Sequence, residues 1–100
     1  MRRVEWSNAA RHDIRTQVEY IAAEDPQAAR RIVAIVNHVG ESLGTFATGH
    51  PGRVAGTYEK SVRGLPYVIA YALTDDDAAG SILRVIHTSR DWGEDDWPDD

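Results

Sequence analysis

Cysteine is absent from these 100 residues, which excludes a disulfide framework and any thiolate metal site. No apolar run approaches the roughly 20 residues of a membrane-spanning helix. The opening Met1-Arg2-Arg3-Val4-Glu5-Trp6 also lacks the apolar stretch of a signal peptide, so a cytoplasmic location is expected. The sequence holds no phosphate loop, nucleophile elbow or dinucleotide fingerprint. Its four histidines, His12, His38, His50 and His87, have no partner at metal-binding spacing, so neither a metal nor a cofactor is expected. An excess of basic charge is missing too. The net charge of −5 argues against broad binding to nucleic acid, which rests on neutralising phosphates.

That charge is unevenly spread. The stretch from Asp91 to Asp100 holds six acids and no base. Of the sixteen acids, ten therefore remain in residues 1–90, against eleven bases, so the body is near neutral. At 42% hydrophobic and 27% charged residues, the chain reads as one soluble domain with one modest core. Residues 1–92 are assigned to that domain and 93–100 to a solvated acidic tail. Trp92 and Trp97 are unusual in such a stretch and suggest that part of it docks.

Val4-Glu5-Trp6 alternates like a short edge strand. Ser7 or Asn8 then offers a cap to a helix whose stripe is Ala10, Ile14, Val18 and Ile21, with Arg11, Asp13, Arg15, Gln17 and Glu19 facing out. That helix is expected to end near Ala23 or Glu24, before Asp25-Pro26. The same dipeptide opens a second helix, because aspartate caps and proline fits the first helical position. Ala29, Ile32, Val33, Val36, Val39 and Leu43 form its stripe, and Gly40 weakens it by about 1 kcal/mol relative to alanine. So short a link makes the pair a helical hairpin. Thr45 to Gly56 reads as loop, since Gly49, Pro51, Gly52 and Gly56 break any period.

The apolar runs Tyr67–Leu73 and Ser81–His87 flank an acidic, glycine-containing connection and form an antiparallel hairpin. Thr57–Val62 is expected to join through Arg63-Gly64-Leu65-Pro66. The fold class is therefore α+β, in two layers: an N-terminal strand and a helical hairpin packed on an antiparallel sheet. The second sheet face is left for function. One basic cluster stands out: Arg53, Lys60, Arg63, Arg84, His87 and Arg90, near Tyr58, Tyr67, Tyr71 and Trp92. Such side chains neutralise phosphates or stabilise developing charge. Arg84 serves either that purpose or a structural one, paired to a carboxylate such as Glu59. His87 is either an acid–base group or a satisfied polar residue at a strand end. Lys60 and Arg63 are either ligand contacts or solvated charges that protect an edge. Tyr67 and Tyr71 share a strand face with Ile69 and Leu73 and are most simply core.

Several motifs, taken in order, resemble the RelE/ParE superfamily of type II toxin–antitoxin toxins, on its ParE-like side. They are Val4-Glu5-Trp6-Ser7-x-x-Ala10, Asp25-Pro26-x-Ala28-Ala29, Pro51-Gly52-Arg53, Gly64-Leu65-Pro66-Tyr67-Val68-Ile69-x-Tyr71 and Ile82-Leu83-Arg84-Val85-Ile86-His87-x-x-Arg90-Asp91-Trp92. The resemblance spans about residues 3 to 92 and implies the fold already reached. It further implies a growth inhibitor neutralised by a cognate ParD- or RelB-like antitoxin, touching operator DNA only through that antitoxin. The ParE-like branch implies a non-enzymatic inhibitor of DNA gyrase, of the kind linked to plasmid stabilization. The RelE-like alternative implies a ribosome-dependent endoribonuclease acting on mRNA, with Arg63, Arg84, His87 and Arg90 as catalytic residues. A third alternative is an inactive relic that binds its antitoxin and modulates their promoter. Target or antitoxin contacts would draw on Arg53, Lys60, Arg63, Arg84, His87, Arg90 and Trp92. Arginine at position 90 hardly deprotonates, and the missing general base favours the gyrase branch.

Overall fold

A computed structural model describes residues 2–46, 48–52 and 54–88. The acidic tail, and with it the docking expected of Trp92 and Trp97, lies outside the described residues. The chain runs β1 (Arg3–Trp6), α1 (Asn8–Ala22), α2 (Pro26–Ser42), β2 (His50–Pro51), β3 (Tyr58–Val62), β4 (Tyr67–Thr74) and β5 (Ala79–His87). The two helices cover one face of a five-stranded sheet with strand order β1-β5-β4-β3-β2. This is the α+β two-layer architecture the patterning implies. Among the described residues, no helix is long and apolar enough to cross a membrane.

Both helix starts follow the capping chemistry. The Ser7 hydroxyl accepts from the Ala10 N–H at 2.9 Å, and the Asp25 carboxylate accepts from the Ala28 N–H at 3.1 Å. Pro26 occupies the first position of α2, where its missing N–H costs nothing. The helical stripes meet Val62, Tyr67, Ile69, Tyr71, Ile82 and Val85 from the sheet in one core. Gly40 has a packing role that outweighs its low helix propensity. The Trp6 ring lies on it so closely that an added Cβ would stand 2.4 Å from the indole. The indole N–H then donates to Glu41 at 2.7 Å, fixing β1 to α2.

Four features differ from the sequence expectation. β1 runs parallel to β5, with Arg3 opposite Ala79 and Trp6 opposite Ile82, so the sheet is mixed. Within the expected loop, His50 and Pro51 form a two-residue edge strand opposite Glu59 and Tyr58. Proline is tolerated there because an edge strand leaves its outer side unpaired. The β4–β5 connection shrinks to four residues, Asp75 to Ala78, and Asp75, Asp76 and Asp77 all adopt positive φ. Aspartate tolerates this region better than most residues. Arg2 and Arg3 hold the turn: Arg3 pairs with Asp75, and Arg2 Nε donates to the Asp77 carbonyl at 3.1 Å. Arg3 Nε also donates to Glu5 Oε1 at 3.2 Å, and hydrogen bonding to Asp75 first and Glu5 second raises the Arg3 pKa above its ordinary value.

The fourth difference is Asp13, which the helical pattern places outward but which is buried. Its surroundings explain why. β1 ends opposite Ile82, and beyond that point β5 would present bare edge groups. The first turns of α1 take over: Ser7 N–H donates to the Ile82 carbonyl and Ser7 Oγ to the Leu83 carbonyl. Further along α1, the Asp13 carboxylate accepts from the Val85 N–H at 3.0 Å. Leu83 is the unmatched residue of a β-bulge, since Tyr71 opposes Ile82 while Ala70 opposes Arg84.

Candidate functional site

The cations named from sequence separate into two places. Arg84 sits on β5 just past the bulge. Its guanidinium meets Asp13 in a fork, Nε to Oδ2 at 2.8 Å and Nη2 to Oδ1 at 2.7 Å. The carboxylate that grips Arg84 is therefore Asp13 of α1, where the sequence suggested Glu59. Asp13 is 8% exposed and the Arg84 side chain 21%, so the pair is largely withdrawn from water. Bidentate geometry and shared desolvation make this a strong, oriented contact. Sequence reasoning missed Asp13 because its only signal is long-range.

His87 closes β5 opposite Tyr67, and the two rings meet edge to face with centroids 5.5 Å apart. Tyr67 in turn lies against α1, its hydroxyl donating to the Gln17 side-chain Oε1 at 3.4 Å. Burial raises the Tyr67 pKa, keeping the phenol neutral through the physiological range. Arg63 belongs to the turn between β3 and β4, at the same end of the sheet as His87. Gly64 in that turn has φ +82°, a conformation glycine adopts without strain.

Lys60 and Arg63 come together with residues the sequence had set aside. They line a groove of about 630 Å³ between α2 and the β3 edge, with His38, Thr48, His50 and Ser61. Lys60 Nζ donates to Thr48 Oγ1 at 2.6 Å. The groove wall is fixed by Tyr71, whose buried hydroxyl accepts from the Gly49 N–H at 3.0 Å and whose ring stacks on Tyr58. Burial raises the Tyr71 pKa, partly offset by that Gly49 donor. In the sequence, His38 and His50 stand apart from each other and from Lys60 and Arg63. Only the fold brings them beside Lys60 and Arg63. Among the described residues, no three His, Asp or Glu side chains converge to hold a metal ion.

The sheet face away from the helices is the one the patterning leaves for function. Its Ala70 and Ile86 are buried, with Val54 from the preceding loop packed against them. Arg53, Arg90 and Trp92 lie outside the described residues. What the described geometry offers is therefore a cationic groove at one sheet edge and a locked arginine near the other.

Comparison with known proteins agrees with this architecture. The chain is 33% identical over 92 residues to Y4kP of Sinorhizobium fredii, a protein named as a candidate toxin, covering 91% of this chain and 93% of that one. In three dimensions it resembles a structure from the chromosomal ParDE system of P. aeruginosa with a TM-score of 0.81, at 18% identity, covering 89% of this chain and 98% of the other. A structure from the Mycobacterium tuberculosis RelBE2 toxin–antitoxin complex superposes with a TM-score of 0.53, at 22% identity, covering 86% and 96%. Residues 4–92 match the model of the ParE toxin of the type II toxin–antitoxin system parDE, and the chain belongs to that family.

Proposed function

We propose that this toxin arrests growth in the cytoplasm by binding DNA gyrase, and that a cognate antitoxin holds it inert. The observation that carries the non-enzymatic reading is the Arg84–Asp13 fork. A ribonuclease of this fold would need Arg84 to stabilise charge on a scissile phosphate. Here a buried carboxylate already satisfies it, and withdrawing the arginine would leave Asp13 charged and unpaired. His87 packs on Tyr67, in a setting suited to structure. Binding, in contrast, needs only an exposed surface of defined charge, and the groove beside Lys60 and Arg63 provides one. An antitoxin that covers these cations would block the target, and operator DNA would be reached only through the antitoxin.

The test is brief induction of the chain alone, with mapping of new mRNA 5′ ends, followed by a supercoiling assay with purified gyrase. Arrest with intact messages and inhibited supercoiling is the expected result. Cuts at a fixed codon position would overturn the reading in favour of a ribosome-dependent nuclease. Unimpaired growth would leave a relic that only binds its antitoxin.

A further inference from the structure

Strand alternation puts Lys60 on the helix side of the sheet. Its neighbours Tyr58 and Val62 pack with the helical stripes in the core, and residues two apart on a strand share a face. Lys60 therefore rises into the groove against α2, on the opposite face from Ala70 and Ile86. Among the described residues, neither Lys60 nor Arg63 has a carboxylate partner, whereas Arg3 and Arg84 each have one. Lys60 Nζ donates instead to the neutral Thr48 Oγ1 at 2.6 Å, and Arg63 stands exposed in its turn. The Thr48 oxygen accepts in that bond, so its own hydrogen is left to donate into the groove. His38 and His50 stand at the same opening, against one lining carboxylate, that of Glu59. Cations held without anions around an open volume of about 630 Å³ are the makings of an anion site.

We propose that this groove binds a small ligand carrying two adjoining phosphoryl groups, of the size of a nucleoside diphosphate. Lys60 and Arg63 are three residues apart, so their Cα atoms stand up to about 10 Å from each other. Cations spaced in this way meet a diphosphate at both ends. Arg63 forks onto one phosphoryl group, and Lys60 with the Thr48 hydroxyl takes the next. The groove volume lies in the range that holds a ligand of nucleotide size. The charge of the whole chain selects a small ligand over a long one. At −5 it repels an extended polyanion, while a short ligand feels chiefly the cations within a screening length of about 8–10 Å. The site stands apart from the gyrase reading, which needs the same cations only as part of a larger surface.

The experiment titrates the full chain with sodium pyrophosphate in a calorimeter and follows acetylation by acetic anhydride. Lys60 is the sole lysine, so its acetylation, read by mass spectrometry, reports on the groove, and the α-amino group serves as the internal reference. Saturable one-to-one binding is expected, with Lys60 acetylated more slowly and the α-amino rate unchanged. Lys60→Gln combined with Arg63→Gln is expected to weaken binding by about tenfold or more. Arg11→Ala combined with Arg15→Ala removes equal charge from the exposed side of α1 and is expected to change binding by less than about twofold. Glu59→Gln is expected to tighten binding, a gain that damage to the fold would not produce. Absence of binding, unslowed acetylation of Lys60, or equal losses in the two double variants would overturn the site. Inorganic phosphate binding as tightly as pyrophosphate would overturn the diphosphate assignment. A single-stranded oligonucleotide that protects Lys60 at a lower phosphate concentration would overturn the small ligand and give the groove to nucleic acid. Should the glutamine pair fail to fold, protection of wild-type Lys60 and the α1 pair decide alone.

Discussion

Two rims of one sheet treat their cations in opposite ways. On the β5 rim, Arg84 is drawn into a two-bond fork with a buried aspartate, and that aspartate also receives a backbone N–H. On the β3 rim, Lys60 and Arg63 stand at an open groove, and among the described residues Lys60 is held by the hydroxyl of Thr48. Similar side chains are thus locked to a carboxylate in one place and left at an open groove in the other. The difference is set by what each strand has beside it. β5 is flanked by α1, which brings a carboxylate, while among the described residues β3 meets on its outer side a strand of two residues.

Asp13→Ala should break the β5 side most severely. It removes the carboxylate onto which the largely buried Arg84 forks and leaves the Val85 N–H unsatisfied, a loss of about 3 kcal/mol measurable by urea denaturation. Gly40→Ala comes next. Alanine is the better helix former, yet its Cβ would meet the Trp6 ring at 2.4 Å, so a net destabilisation of about 1–3 kcal/mol is expected. Combining it with Trp6→Leu should recover part of that loss.

The tyrosines that link the two rims predict an alkaline limit. Burial raises the pKa of Tyr67 and of Tyr71, so the native state holds their protons where the unfolded chain has released them. Stability is then fully present below the ordinary tyrosine value of about 10 and falls as pH rises through the raised native values. Tyr67→Phe should flatten that fall in a thermal-denaturation series. Arg63→Ala closes the series with the smallest stability effect, within about 0.5 kcal/mol, because the residue is exposed in a turn. Its effect should appear instead as weaker antitoxin binding, the reverse of the Asp13 result.

Much of the fold is legible in local chemistry. Ser7 and Asp25-Pro26 announce the helix starts, and the period-two runs around Tyr71 and Val85 announce the central hairpin. These signals act within a few residues. The features that escaped are those decided by partners distant in sequence. The parallel pairing of β1 leaves no local mark, and His50-Pro51 is too short for any period. Asp13 has the spacing of a solvent-facing residue and is buried only because β1 stops where α1 crosses the β5 edge. The basic cluster was visible as a list of residues. Its division into a fork and a groove was not, since that depends on which strand neighbours which element.

The Arg2 and Arg3 clamp on the aspartate turn has a kinetic consequence. It joins residues 75 positions apart in the chain, and β1 pairs only with the first half of β5. Closing so long a loop is entropically costly and tends to come late in folding. During synthesis the N-terminal strand therefore emerges first but waits, unpaired, until the segment around Ile82 has left the ribosome. A nascent chain of this design therefore completes its sheet only when nearly all of the described fold has been made.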